Sequence, residues 1–223
     1  MSADKIKYLR QLLAQRAGPS QEGVVENFVT GLAALDQIGI PTAALTEIVS
    51  IPKLAAGGGL LLFALLHAVL QKGQRVALID GKGAFAPKSL LSTDLKRLLW
   101  IRCRMASEAM KAADLAVRDG NVPLVMMLLT LNTAAELRRL PANAWHRLQM
   151  LAEKSAVTLI AFTPAAQIGC ARLRLSVGGA FPLDRLHICR DELIPELKVH
   201  VERRRIMDKE RRPDEELRRA FCA

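Results

Sequence analysis

The sequence predicts an α/β protein: a mainly parallel β-sheet with helices on both faces and antiparallel strands at its C-terminal end. Three observations predict it. From Ala43 onward, strand-like and helix-like segments alternate, the pattern of strands joined by crossover helices. The middle strands are continuous apolar runs such as "VPLVMMLLTL" (122–131), as expected where both sheet faces are covered. The last ones, "ARLRLSV" and "LIPELKVHVERRR", alternate polar with apolar and read as sheet edges.

Along the chain, residues 4–16 have the spacing of a short amphipathic helix. Ile6, Leu9 and Leu13 share one face with Tyr8 and Leu12 alongside, while Lys5, Lys7, Arg10 and Arg16 face water. "AGPSQEG" (17–23) then reads as a linker. "ALTEIVS" (44–50) and "RVALID" (75–80) are expected strands flanking a helix from about Gly58 to Gln71. A strand near Leu98 to Arg102 follows, then a helix over 107–120 that starts at a serine and stops at Gly120. After the 122–131 strand, residues 133–155 are helical in two pieces around Pro141, and 156–164 form another strand.

The division expected is an N-terminal helical arm and linker (1–23), a core (24–205) and a basic tail (206–223). The 223 residues are 51% hydrophobic and 24% charged, which excludes a mostly disordered or fibrous chain. A net charge of +10 favours nucleic acid or an acidic partner without choosing between them. The four cysteines are far apart and form no Cys-x-x-Cys pair, so reduced thiols and no metal are expected. The longest apolar run, Leu60 to Leu66, is too short to span a bilayer, and the N-terminus lacks a signal-peptide core; a cytoplasmic protein is expected.

The stretch "SIPKLAAGGGL" (50–60) has the outline of a phosphate-binding loop between a strand and a helix. Such a loop needs a lysine after its glycines to neutralise phosphate, and a Ser or Thr to hold magnesium. Here Lys53 precedes Gly57, Gly58 and Gly59, and the strand ending in Leu129, Thr130 and Asn132 supplies no carboxylate. The expectation is a glycine-rich bend that lets the helix pack on the sheet, with no nucleotide, no other cofactor, no metal and no catalysis. Asp80 reads either as a strand-end ligand group or as a cap of the "DGKG" turn, and His67 as a core residue.

The order of segments resembles the core of RecA, the bacterial recombinase. "TGLAALD" (30–36) is similar to its entry motif, "LTEIVS" to its first core strand, and "RVALIDGKGAFAPKSL" (75–90) to its second strand and turn. The likeness runs from about residue 30 to about residue 205. With "RLLWIR" and "EAMKAADLAVRDG" it resembles more closely the ImuA family, the RecA-like, SulA-related proteins of bacterial mutagenesis cassettes. RecA's ATPase residues do not carry over: Ser107 stands near the catalytic glutamate's place with Glu108 displaced by one, and Gln167 follows the later strand after inserted residues.

This resemblance implies a non-enzymatic accessory factor in damage-induced translesion synthesis. Its partners would be an ImuB-like Y-family polymerase paralogue and an error-prone replicative-type DNA polymerase, with RecA or a second copy of the chain as further candidates. The arm residues Ile6, Tyr8, Leu9, Leu12 and Leu13 would then dock on a neighbour. The segment 197–223 carries nine basic residues against six acidic ones. Arg203, Arg204, Arg205, Arg211, Arg212, Arg218 and Arg219 are its candidate contacts to a partner or to single-stranded DNA. A solvated, partly helical tail is the alternative, and Phe221 as its one aromatic residue argues against a stacking platform.

Overall fold

The computed structural model describes residues 26–50, 57–178, 181, 185 and 187–205. The arm at 4–16, Lys53, and the tail arginines Arg211, Arg212, Arg218 and Arg219 lie outside the described residues.

Two short strands, β1 (Asn27–Phe28) and β2 (Ile40–Pro41), pair antiparallel around α1 (Ala33–Ile38). The "TGLAALD" segment closes this entry on itself. Asp36 accepts hydrogen bonds from the Thr30 backbone N–H, the Thr30 hydroxyl and the Gly31 N–H, which fixes the turn before the helix.

The seven-stranded sheet is built from β3 (Leu45–Val49), β4 (Val76–Asp80), β5 (Leu98–Arg102), β6 (Leu124–Leu128), β7 (Thr158–Thr163), β8 (Leu173–Gly178) and β9 (Lys198–Arg204). Its order is β5-β4-β6-β7-β3-β8-β9, and every pairing is parallel except β8 with β9. β3, β4, β6 and β7 are buried along their whole length, in keeping with their largely apolar sequences.

Helices cover both faces. On one lies α2 (Gly58–Gln71), whose leucines pack on Ile48, Leu78, Met126 and Phe162, with the short α3 (Ser92–Leu95) beside it. On the other lie α4 (Ala106–Asp119), α5 (Ala134–Arg138) and α6 (Ala142–Ser155), over Leu45, Ala77, Val125 and Leu159. Ala109, Met110, Ala113 and Val117 of α4 are all buried, following the helical period seen in the sequence, and Gly120 ends the helix at φ 69°. Pro141 separates α5 from α6. Beyond β8, residues 190–193 form α7 (Arg190–Leu193), followed by a 3₁₀ turn at Ile194–Glu196.

Three expectations change. "ARLRLSV" is not an edge: β8 lies between β3 and β9, with Leu173, Leu175 and Val177 buried in the core. α4 starts one residue early, with Met105 in the extended cap position and Ser107 inside the first turn. His67 is not a core residue. Its side chain is 40% exposed, stacks on Phe63 at 5.9 Å, and lies 3.4 Å from the buried Asp94 carboxylate. The apolar neighbours in sequence belong to the buried face of α2, and His67 turns away from them.

Candidate functional site

The carboxyl ends of the parallel strands are where open α/β sheets place ligands. Here Ser50 after β3, the 84–86 turn after β4, and Leu128, Thr130 and Leu131 at the end of β6 border a cleft of about 510 Å³. Gly59, Leu60, Leu62 and Phe63 of α2 form its wall, with Arg190 of α7 on the rim. The lining is leucine, phenylalanine, alanine and two hydroxyls. Among the described residues Arg190 is its one charged residue, and the guanidinium sits 4.5 Å from the centre of the Phe63 ring.

The three glycines have separate jobs. A Cβ on Gly58 would overlap Oγ and Cβ of Ser50, so the first turn of α2 touches the end of β3 at a distance only glycine permits. A Cβ on Gly57 would overlap Leu197, which is itself buried, and would crowd Phe181. A Cβ on Gly59 meets nothing within 4 Å. Leu197 follows the 3₁₀ turn before β9 and lies directly against the amino end of α2. In a phosphate loop this position faces an anion; here it faces an aliphatic side chain. The close packing of helix on strand is as the sequence predicts. The covering leucine is not, because its partner is 140 positions away in the sequence.

Asp80 resolves in favour of the cap. It is fully buried; Oδ1 accepts the Ala84 N–H at 2.9 Å, and Oδ2 accepts the Phe85 N–H at 3.1 Å and the Trp100 indole N–H at 3.4 Å. These bonds hold Phe85 in the cleft wall. Asn132 is buried too and donates to Glu136 Oε1 at 3.1 Å. Glu136 in turn accepts the Ala106 N–H at 2.7 Å and pairs with Lys82 at 3.0 Å, so it ties together the turns after β4, β5 and β6. The Ala106 N–H, then Lys82 and Asn132, outweigh burial and hold the Glu136 carboxyl below the ordinary glutamate value. Glu108 accepts the Arg104 N–H at 2.8 Å as a helix-start cap.

A second polar centre lies beneath the turn after β7. Glu47, fully buried in the middle of β3, accepts from the Thr163 hydroxyl at 3.0 Å, the Gln167 N–H at 2.8 Å and the Ile168 N–H at 3.1 Å. Its other oxygen takes Arg174 Nε at 2.6 Å. Arg203, opposite Arg174 across β8 and β9, donates to Ile168 O at 3.0 Å. Burial and the neighbouring Arg174 lower the Arg203 pKa from its ordinary value. Sequence reading passed over Glu47. The signal was a lone carboxylate inside the apolar run "LTEIV", which a buried strand tolerates only with dedicated partners.

The basic residues named from the sequence separate as well. Arg203 is spent on the 168–171 turn, and Arg204 donates to the carbonyls of Ile38 and Gly39. Arg205 is exposed. Four arginines not singled out by sequence, Arg102, Arg104, Arg138 and Arg139, are exposed around the carboxyl ends of β5 and α5 and make no ion pair with a described residue. Gln167 borders a separate hollow of about 400 Å³ between the 165–170 turn and α5–α6, away from the Gly59 cleft.

No protein-family model matches the chain, and no curated protein matches it.

Proposed function

We propose that this protein is a non-catalytic adaptor of the ImuA type, built on a RecA-like core and acting through protein contacts in damage-induced translesion synthesis. The observation that carries the non-catalytic part is the apolar filling at the amino end of α2. Leu197 and Phe181 lie against Gly57, and among the described residues the neighbouring cleft offers no carboxylate to hold a magnesium ion. The pathway and partners rest on the sequence resemblance: an ImuB-like polymerase paralogue and an error-prone replicative-type DNA polymerase. Two measurements test the reading. Calorimetry with magnesium-ATP is expected to give no saturable heat up to about 1 mM ligand; saturable, magnesium-dependent binding overturns the non-catalytic part. Affinity purification from DNA-damaged cells is expected to recover both polymerases, and recovery of neither removes the pathway assignment.

A second reading, direct contact with single-stranded DNA, is favoured by the exposed set Arg102, Arg104, Arg138 and Arg139. Four phosphate contacts would weaken binding about 50-fold between 50 and 200 mM salt. Binding without such a slope, or none, eliminates it.

A further inference from the structure

The two edges of the sheet are treated differently by the sequence. β9 carries Lys198, His200, Glu202 and Arg204 at alternate positions, its ladder is interrupted between Arg174 and Leu175, and Arg204 is tied to the end of α1. These are devices that discourage a further strand. β5, at the opposite end, reads Leu-Leu-Trp-Ile-Arg and has none of them along its first four residues.

Its backbone is half used. The Arg97 carbonyl and the Cys103 N–H bond to β4 at 3.1 and 2.8 Å. The two-residue alternation of a ladder therefore points the N–H and C=O groups of Leu98, Trp100 and Arg102 outward. Among the described residues nothing takes them. The side chains next to this edge are apolar on both faces: Leu99 is 52% exposed, and Leu91, Leu95 and Met105 are exposed beside it. The exposed charge is predominantly positive. Lys96 and Arg97 precede the strand, Arg102 and Arg104 close it, and all four are exposed. Of the acids nearby, Asp94 is buried and held by Gln71, Asp80 is buried against the Trp100 indole, and Glu108 is exposed but engaged by the Arg104 N–H.

We propose that the open edge of β5 is a docking edge for an extended apolar segment of a partner protein, flanked by acidic residues, which joins the sheet as an additional strand. Main-chain hydrogen bonds to Leu98, Trp100 and Arg102 supply the pairing, and the arginines and lysines at both ends select the acidic flanks. A second copy of the chain fits less well, because its N-terminal arm carries Lys5, Lys7, Arg10 and Arg16 against the single acid Asp4. Nucleic acid matches the charge but has neither the backbone amides nor the apolar side chains that this edge calls for. The inference stands on the sheet edge alone and holds whether or not the chain acts in damage tolerance.

The test uses the full chain and a synthetic peptide of alternating valine and threonine with two glutamates at each end. Controls are the same core with lysine ends, and the acidic peptide with alternate amides methylated. Titration followed by amide hydrogen exchange is expected to slow exchange at Leu98, Trp100 and Arg102 by about tenfold or more. The lysine-ended and methylated peptides, and the variants L99K and R102P, are expected to bind at least about tenfold more weakly. L99K changes an exposed side chain, so its fold, checked by circular dichroism, keeps the comparison valid if R102P fails to fold. Unchanged exchange at the three amides, or equal binding of acidic and lysine-ended peptides, overturns the proposal. Protection of these amides that grows with protein concentration without peptide also overturns it, and assigns the edge to a second copy.

Discussion

Gly58 and Gly59 are adjacent and look equivalent in the sequence, yet their surroundings are opposite. Gly58→Ala drives a methyl group into Ser50 and is expected to cost about 1–3 kcal/mol. Gly59→Ala points into open space and is expected to be neutral or stabilising by up to about 1 kcal/mol through helix propensity. Urea unfolding midpoints of the two variants measure the contrast, and similar midpoints would refute the packing account. Glu47 supports a second comparison. Removing its carboxylate strands Arg174 and two backbone N–H groups, so Glu47→Leu is expected to cost about 3–5 kcal/mol. Arg174→Met leaves three donors on the carboxylate and is expected to cost less, about 2–3 kcal/mol. The reverse order in chemical denaturation would contradict this network. Glu136 adds a pH dependence. Its folded pKa lies below the unfolded one, so its contribution is fully present above about pH 4.5 and is lost as the pH falls through the folded value. Glu136→Gln is therefore expected to lose less stability than the parent on acidification from pH 5 to pH 3. Parallel acid-unfolding curves would remove Glu136 from the account.

At the level of elements, what the sequence made legible was whatever depends on local periodicity. The four central strands, α2, the α4 repeat and the break at Pro141 stand where the pattern places them, with ends shifted by up to three residues. What escaped was set by partners distant in sequence. "ARLRLSV" looks half-exposed because Arg174 and Ser176 face away from the core, but pairing with both β3 and β9 brings the strand inside the sheet. The candidate site divides the same way: the glycines were visible, whereas Leu197 against Gly57 required the fold. Helix ends hold one further expectation. α6 terminates at Ala156 with φ 55°, a left-handed conformation that glycine adopts without a side-chain penalty. Ala156→Gly is expected to raise thermal stability by about 1 kcal/mol, and a lower midpoint would show that the Ala156 methyl packs better than its backbone geometry suggests.

Across the whole molecule, chemistry-bearing groups at the carboxyl end of the sheet are turned to structural ends. Asp80, Glu136 and Glu108 each accept backbone N–H groups and fix turns, and Glu47 does the same one strand over. The frame of the parallel sheet is therefore kept rigid by carboxylates that satisfy main chain. Residues 164–205 are integral to that frame, since they supply β8, β9, Arg174 and Leu197. A chain ending at Thr163 is expected to give no cooperative unfolding transition by calorimetry; a sharp one would show that β3 needs no neighbour on its β8 side.

The central position of β3 also bears on how the chain is made. It leaves the ribosome before every other strand of the large sheet, yet its two neighbours, β7 and β8, are translated more than a hundred residues later. At about 5–20 residues per second, the nascent strand waits about 5–20 s with both edges bare and a carboxylate whose donors do not yet exist. Completion is therefore a late, all-at-once event, and the half-made chain is a natural client for a ribosome-associated chaperone.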